Sequence, residues 1–288
     1  MNQGPEGLTP CSSVPHHITA FFIPHIVGGD PYKTGSLGAG LLVDPPARAC
    51  FDPNAQRPEG PLGRSLELLG APGGVRVWEP LPPMRGYATS AAVSLAGALA
   101  AAAALGRGLL AAAREAHRAE VEEKTGLGDV LAIWGGLGGV VVRLKPGAPG
   151  EGLVESLPVP PGLVVVTASR GETHTRSLLS SYGPREREAA SAALRRIVRD
   201  ASFEAFVEAV SSYVASVPSA RPPRPGGAGV LVAYRKKNVS AYLVEADRVQ
   251  DLYTQLSRDG FDVRVHRPWQ GGAPVVEWIN PLYAPPWS

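Results

Sequence analysis

Apolar residues in the first third of the chain come in short runs cut by glycine and proline: Ile18 to Val27, Ala39 to Val43, and Val75 to Trp78 after the Pro72-Gly73-Gly74 turn. β-Branched and aromatic residues bounded by such breakers predict strands. The pattern then changes. No residue from Gly86 to Gly106 is charged, and beyond it alanine and leucine alternate with Arg114, Glu115, Arg118, Glu122 and Glu123, so one face turns polar. This predicts a long helix over roughly 89–124, broken near Gly106 and Gly108. The break is needed if its ends are to meet, because Ser90 and Glu120 on one straight helix would lie roughly 45 Å apart.

Glycines 126, 128, 135, 136, 138 and 139 lead into Val140 to Lys145, an apolar strand that turns basic at its end. Proline and glycine are dense from Pro146 to Pro161, which marks a boundary between domains at 1–155 and 156–288. Past it, Leu163 to Thr167 reads as a buried strand. Ala190, Leu194, Ile197, Phe203, Phe206 and Val210 at helical spacing predict one or two helices over 185–217. Pro218 to Gly229 is a loop; Val230 to Tyr234 and Val239 to Val244 are strands around the polar Arg235-Lys236-Lys237-Asn238 turn. A helix over 247–258 and a final strand over 261–265 complete an α+β second domain.

Composition narrows the function. The chain has 288 residues, 44 % of them hydrophobic, and a formal charge of +2 from 28 basic and 26 acidic side chains mixed along its length. A nucleic-acid binder would show a basic stripe, so a small-molecule substrate is expected and no nucleic-acid partner. The uncharged run is long enough to span a membrane, but alanine inserts weakly and Thr89, Ser90 and Ser94 add polarity; a buried helix is expected. No basic and apolar leader precedes Thr9, which predicts a cytoplasmic protein. Cys11 and Cys50 have no metal-ligand spacing, and whether they pair is left open by the sequence. Few asparagines among many prolines, arginines and alanines resemble a heat-adapted composition.

Two segments could carry chemistry. Gly86-Tyr87-Ala88-Thr89-Ser90-Ala91 opens the uncharged helix, where free backbone N–H groups and the helix dipole favour an anion. A helix cap would explain the same residues. At the other end, Glu120, Glu122 and Glu123 precede Thr125-Gly126-Leu127-Gly128-Asp129, so that Asp129 returns on a new element beside the helix end. A solvated acidic face is the plainer account of those glutamates. Phosphate-cradling donors, hard oxygens for Mg²⁺ and a carboxylate to orient a hydroxyl are the requirements of phosphoryl transfer. His16 and His17 are adjacent and project to opposite strand faces, which argues against a shared metal, and Asp30 to Gly40 reads as a hairpin.

Taken together, His17-Ile18-Thr19-Ala20-Phe21-Phe22, Asp30-Pro31 with Thr34-Gly35-Ser36 and Gly38-Ala39-Gly40, Ala119-Glu120-Val121-Glu122 with Thr125-Gly126-Leu127-Gly128-Asp129-Val130, and Lys145-Pro146-Gly147-Ala148-Pro149-Gly150 resemble the archaeal pantoate kinases, a branch of the GHMP kinase superfamily. The resemblance is dense from about 16 to 150. It implies an α+β GHMP kinase fold, with a ribosomal-protein-S5-like N-terminal domain followed by a ferredoxin-like domain, and ATP between them. The implied reaction converts D-pantoate and ATP to 4-phosphopantoate and ADP in coenzyme A biosynthesis. Asp129 falls on the catalytic aspartate, Ser90 and Glu120 on the Mg²⁺ ligands, and Gly86, Tyr87, Ala88, Thr89, Ser90 and Ala91 on the ATP loop. His17, Thr34, Arg143 and Arg176, with Lys145, are candidates for substrate binding; Arg143 leads because a guanidinium binds a carboxylate bidentately. A homodimer is the family-level expectation. The loop departs from the family where Ala88 and Ala91 replace glycines and Met84-Arg85 replaces Gly-Ala. Such Cβ atoms hinder positive φ and close phosphate approach, and Arg85 is expected to compensate by contacting phosphate. A kinase for another small alcohol and a non-catalytic nucleotide-binding homologue are the alternatives.

Overall fold

The computed structural model describes residues 7–171, 182–223 and 229–280. Its first sheet is built on a hairpin of two long strands, β1 (Thr9–His25) and β2 (Gly35–Asp52). Both exceed the apolar runs that announce them, because polar residues such as Ser12 and His16 are carried into the buried part of the sheet. The intervening turn is held by its own side chains. The Asp30 carboxylate accepts from the amides of Tyr32 and Lys33 at 3.0 and 3.1 Å, and the Thr34 hydroxyl bridges the backbone N–H and C=O of Val27.

Strands β3 (Gly74–Trp78), β4 (Val140–Lys145) and β5 (Leu153–Leu157) extend this antiparallel sheet from β2 outward. Its opposite edge is closed by β10 (Val275–Ile279), which pairs with the start of β1 from Ser13 opposite Val275 to Thr9 opposite Ile279. The last strand is therefore β10, not the segment over 261–265. It is short and largely exposed, so its apolar signal is weak. For the same reason β5 lies unannounced within the proline- and glycine-rich stretch. Cys11 and Cys50 face each other across β1 and β2 and form a disulfide.

Helices α2 (Thr89–Ala104) and α4 (Asp129–Gly135) pack on this sheet, and α1 (Gly60–Leu68) and α3 (Leu109–Glu122) pack in turn on α2. The uncharged run is α2, buried along almost its whole length against strands and neighbouring helices. Small residues allow that closeness; a Cβ on Gly97 would stand 2.3 Å from the Leu62 side chain. The chain reverses through Gly106, at a φ of 64°. Helix α3 thus returns alongside α2 and carries Glu120 back to Ser90, as the spacing requires. Among the described residues, no helix is long and apolar enough to cross a membrane.

The second sheet contains β6 (Leu163–Ser169), β7 (Val230–Lys236), β8 (Val239–Glu245) and β9 (Asp262–His266), all antiparallel in the order β7-β8-β6-β9. Helices α5 (Pro184–Asp200) and α6 (Phe203–Ser216) lie between β6 and β7, and α7 (Val249–Arg258) between β8 and β9. This is the ferredoxin-like arrangement. Alternation along its strands divides two cores. Val165, Ala241 and Leu243 join Ile18, Phe21 and Phe206 in the layer between the sheets, while Val166, Tyr242 and Val244 face Leu252 and Leu256 of α7.

Candidate active site

The loop before α2 is pinned from several sides. The Tyr87 side chain is buried and donates from its hydroxyl to Thr167 Oγ1 at 2.9 Å; Thr167 in turn donates to His266 Nε2 at 2.9 Å, and His266 Nδ1 donates to the Asp44 carbonyl at 2.7 Å. Burial holds the His266 imidazole below its ordinary pKa, in the neutral form that such a chain needs. The Tyr87 carbonyl accepts from His16, and the Thr89 hydroxyl is turned back to the carbonyls of Leu81 and Pro82. Tyr87 and Thr89 thus anchor the loop by their side chains. Ala88, at φ 52° and ψ 33°, holds the left-handed conformation that glycine adopts more readily.

Arg85 does not turn toward this loop. Its Nη1 pairs with Asp262 at 2.7 Å and donates to Ser169 at 3.1 Å, tying the loop to β9 and β6. The expectation that it compensates at the phosphate is therefore corrected; its neighbour in sequence is the loop, but its acceptors lie on the second sheet.

Ser90 presents its hydroxyl to Glu120, and the two are hydrogen-bonded at the head of α2. Glu120 is 3 % exposed. Its pKa is raised to about 7, chiefly by burial and secondarily by the charge of Asp129, against the opposing hydrogen bond from Ser90. Asp129 opens α4 nearby and accepts from His17 Nδ1 at 2.7 Å and from Thr19 Oγ1 at 3.1 Å, with Arg143 Nη1 at 3.9 Å. Burial opposes its charge, but the His17 hydrogen bond and the Arg143 and Lys236 cations outweigh that and keep its pKa well below the usual carboxylate range. His17, wholly buried, is held below its ordinary pKa, so a neutral imidazole donates to an ionised carboxylate.

Glycines 126 and 128 are required by contacts rather than by dihedral angle. A Cβ at Gly126 would lie 2.5 Å from the Glu120 carboxylate; one at Gly128 would lie 2.4 Å from the Ser36 hydroxyl and 3.2 Å from the Arg143 guanidinium stem. Gly40 likewise leaves room for the His17 ring, its Cβ position being 2.5 Å from Nε2.

Two cavities meet here. A cleft of about 930 Å³ runs over Gly86, Ala88, Thr89, Ser90 and Ala91 and past Glu120. A smaller pocket is lined by Phe22, Ser36, Leu127 and Arg143. Thr19, Asp129, Lys236 and Lys237 line both and form the neck between them. Arg143 is 1 % exposed, and its Nε lacks a protein partner. Lys236 is half-buried with its ammonium 3.7 Å from the centre of the Phe22 ring. Burial lowers its pKa to about 7 while Asp129 acts in the opposite direction, so a further anion in the neck would hold the amine in its ammonium form.

The structure thus brings Ser90, Glu120, Asp129, His17 and Arg143 together. Thr34 is not with them, since its hydroxyl is engaged by Val27 in the β1–β2 turn, and Lys145 is exposed at the end of β4. Arg176 lies outside the described residues. Thr19, Ser36, Lys236 and Lys237 are additions. Thr19 follows from strand periodicity, two residues from His17 and sharing Asp129 with it. The lysines carry no such signal.

Residues 62–136 match the model of the GHMP kinases N-terminal domain, a stretch that includes Ser90, Glu120 and Asp129. A solved phosphotransferase related to the CoA biosynthesis pathway superposes with a TM-score of 0.75 at 23 % identity, covering 93 % of this chain and 98 % of that one. A mevalonate kinase superposes with a TM-score of 0.61 at 11 % identity, covering 90 % and 98 %. The chain has the GHMP kinase fold. Within that class it is similar to the pantoate kinase of Thermococcus kodakarensis, with 36 % identity over 170 residues, 50 % of this chain and 54 % of that protein. It is also similar to the pantoate kinase of Methanospirillum hungatei, with 32 % identity over 158 residues, 48 % and 53 % of the two chains. The chain spans about half the length of these curated relatives.

Proposed function

We propose that this chain is an ATP-dependent kinase that phosphorylates the primary hydroxyl of D-pantoate, giving 4-phosphopantoate and ADP for coenzyme A synthesis. The observation that carries the reading is the ionised, histidine-oriented Asp129 at the neck between a cleft headed by a helix N-terminus and a pocket with a buried arginine. The cleft takes ATP with its phosphates at the start of α2. Arg143 takes the pantoate carboxylate, and the acceptor hydroxyl then points at Asp129.

Asp129 is a weak base, so its first role is to accept a hydrogen bond from that hydroxyl and aim the oxygen. The proton passes to it late, as the new O–P bond acidifies the hydroxyl, which suits a loose transition state. His17 and Thr19 both donate to Oδ1, which orients the carboxylate and leaves Oδ2 for the hydroxyl. Among the described residues no cluster of three or more His, Cys, Asp or Glu is placed to hold a metal. The Ser90 hydroxyl and the Glu120 carboxylate are nevertheless a buried pair of hard oxygens, which fits Mg²⁺ completed by phosphates and water. Bound there, the ion would supply charge neutralisation on the phosphates.

The test is ADP release from Mg-ATP with pantoate, pantothenate, mevalonate and homoserine. ADP release with pantoate alone is expected. Turnover of another alcohol instead would reassign the acceptor, and no turnover with any would favour a non-catalytic nucleotide binder. Ala88 and Ala91 are the residues that would favour such a binder; Ala88 nevertheless holds a left-handed backbone.

A further inference from the structure

The β7–β8 hairpin reaches the neck from the second sheet. Lys236 pairs with Val239 across a turn made by Lys237 and Asn238, with Lys237 at a φ of 54°. The turn is fastened by Arg235 Nε donating to the Lys237 carbonyl at 3.1 Å and by the Arg170 amide donating to the Asn238 carbonyl at 3.2 Å. Its tip docks on the loop before α2 at Gly86, where a Cβ would lie 2.6 Å from the Lys236 carbonyl and 2.8 Å from the Val239 side chain. Gly86, at a φ of 117°, is therefore glycine for two reasons: its own backbone and the hairpin against it.

That docking sets the Lys236 ammonium between two cavities with different tasks. It stands over the Phe22 ring on the pocket side and lines the cleft on the other. A phosphoryl group travelling from the cleft to a hydroxyl beside Asp129 passes this neck, where its three equatorial oxygens carry the charge of transfer. Asp129 alone would repel it. Arg143 is deeper, in the acceptor pocket.

We propose that Lys236 is a catalytic residue of this site, the cation that contacts the γ-phosphoryl group in the neck and offsets the Asp129 charge during transfer. This rests on the kinase reading, but not on pantoate being the acceptor. The aromatic face of Phe22 keeps the ammonium in position without consuming its N–H donors, which leaves them for phosphoryl oxygens.

The decisive measurement compares equilibrium binding of Mg-ADP with that of a non-hydrolysable Mg-ATP analogue. Wild-type protein is expected to bind the analogue roughly tenfold or more tightly than ADP, since charged contacts in a partly desolvated site are strong. Lys236→Met should bring the two affinities within about threefold of each other while leaving ADP affinity unchanged, and Lys236→Arg should restore the preference. The proposal is overturned by a Lys236→Met protein that keeps the preference, by equal weakening of both nucleotides, or by a wild-type protein with no preference. In a separate arm with pantoate, Lys236→Met should lower kcat by roughly a hundredfold or more, with the pantoate KM little changed. Absence of wild-type turnover in that arm would remove pantoate as acceptor and leave the nucleotide result to decide Lys236.

Discussion

Glu120 offers a stability test independent of turnover. In metal-free protein, burial raises its pKa from the ordinary 4.5 to about 7. The folded chain then holds this proton more tightly than the unfolded chain does throughout that interval, so stability falls as pH rises through it. At about 1.36 kcal/mol per pH unit, the interval from 4.5 to about 7 corresponds to a loss of about 3 kcal/mol, complete above the folded pKa. Glu120→Gln keeps the size of the side chain and an oxygen for Ser90 but cannot ionise.

Urea unfolding of both proteins in chelator, at intervals from pH 4.5 to 8, isolates the effect, because every other titrating group is common to the two. The variant should gain about 3 kcal/mol on wild type across the range. Adding Mg²⁺ at pH 8 should stabilise wild type and not the variant. Parallel pH curves for the two proteins would refute the buried, proton-holding state of Glu120 and, with it, the account of the Ser90–Glu120 pair.

Asp129→Asn should lower kcat by roughly a thousandfold in steady-state assays while the protein still melts cooperatively. Because the native Asp129 pKa is depressed, the stability it contributes is present above the ordinary carboxylate pKa and lost in acid, so the variant's deficit should shrink as pH falls below 4. Ala88→Gly should stabilise by about 0.5–1 kcal/mol in denaturant titrations, as relief of a left-handed alanine exceeds glycine's extra entropy. A net loss would contradict that backbone geometry. Replacing both Cys11 and Cys50 by serine frees a loop whose ends are 39 residues apart, and on the chain-entropy account should cost about 4 kcal/mol of unfolding free energy.

Much of the site was legible because its parts have local signatures. The reversal at Gly106, the return of Glu120 to Ser90 and the placing of Asp129 at a new helix start all follow from helix length and glycine punctuation. Arg143 was singled out in sequence and is buried within β4 at the edge of the smaller pocket. The failures share a cause: side-chain direction and tertiary docking are not local. Arg85 adjoins the loop in sequence but pairs with Asp262 on β9, and Thr34 spends its hydroxyl on its own turn. Lys236 and Lys237 read in sequence only as part of a polar turn, and it is the docking of that turn on Gly86 that brings them to the site. Of the fold, α1, β5 and β10 are short, and the two strands are also only partly buried. A period of two or 3.6 has too few positions in them to register.

The pairing of β10 with β1 has a consequence for biosynthesis. Strand β1 is synthesised well before the partner that covers its outer edge, Val275 to Ile279, which emerges about 260 residues later. Throughout that interval the nascent first sheet carries an open edge of unpaired backbone groups. The order of synthesis thus leaves this edge open until residues 275–279 have emerged, and a ribosome stalled before residue 275 would hold a chain exposed to edge-to-edge association.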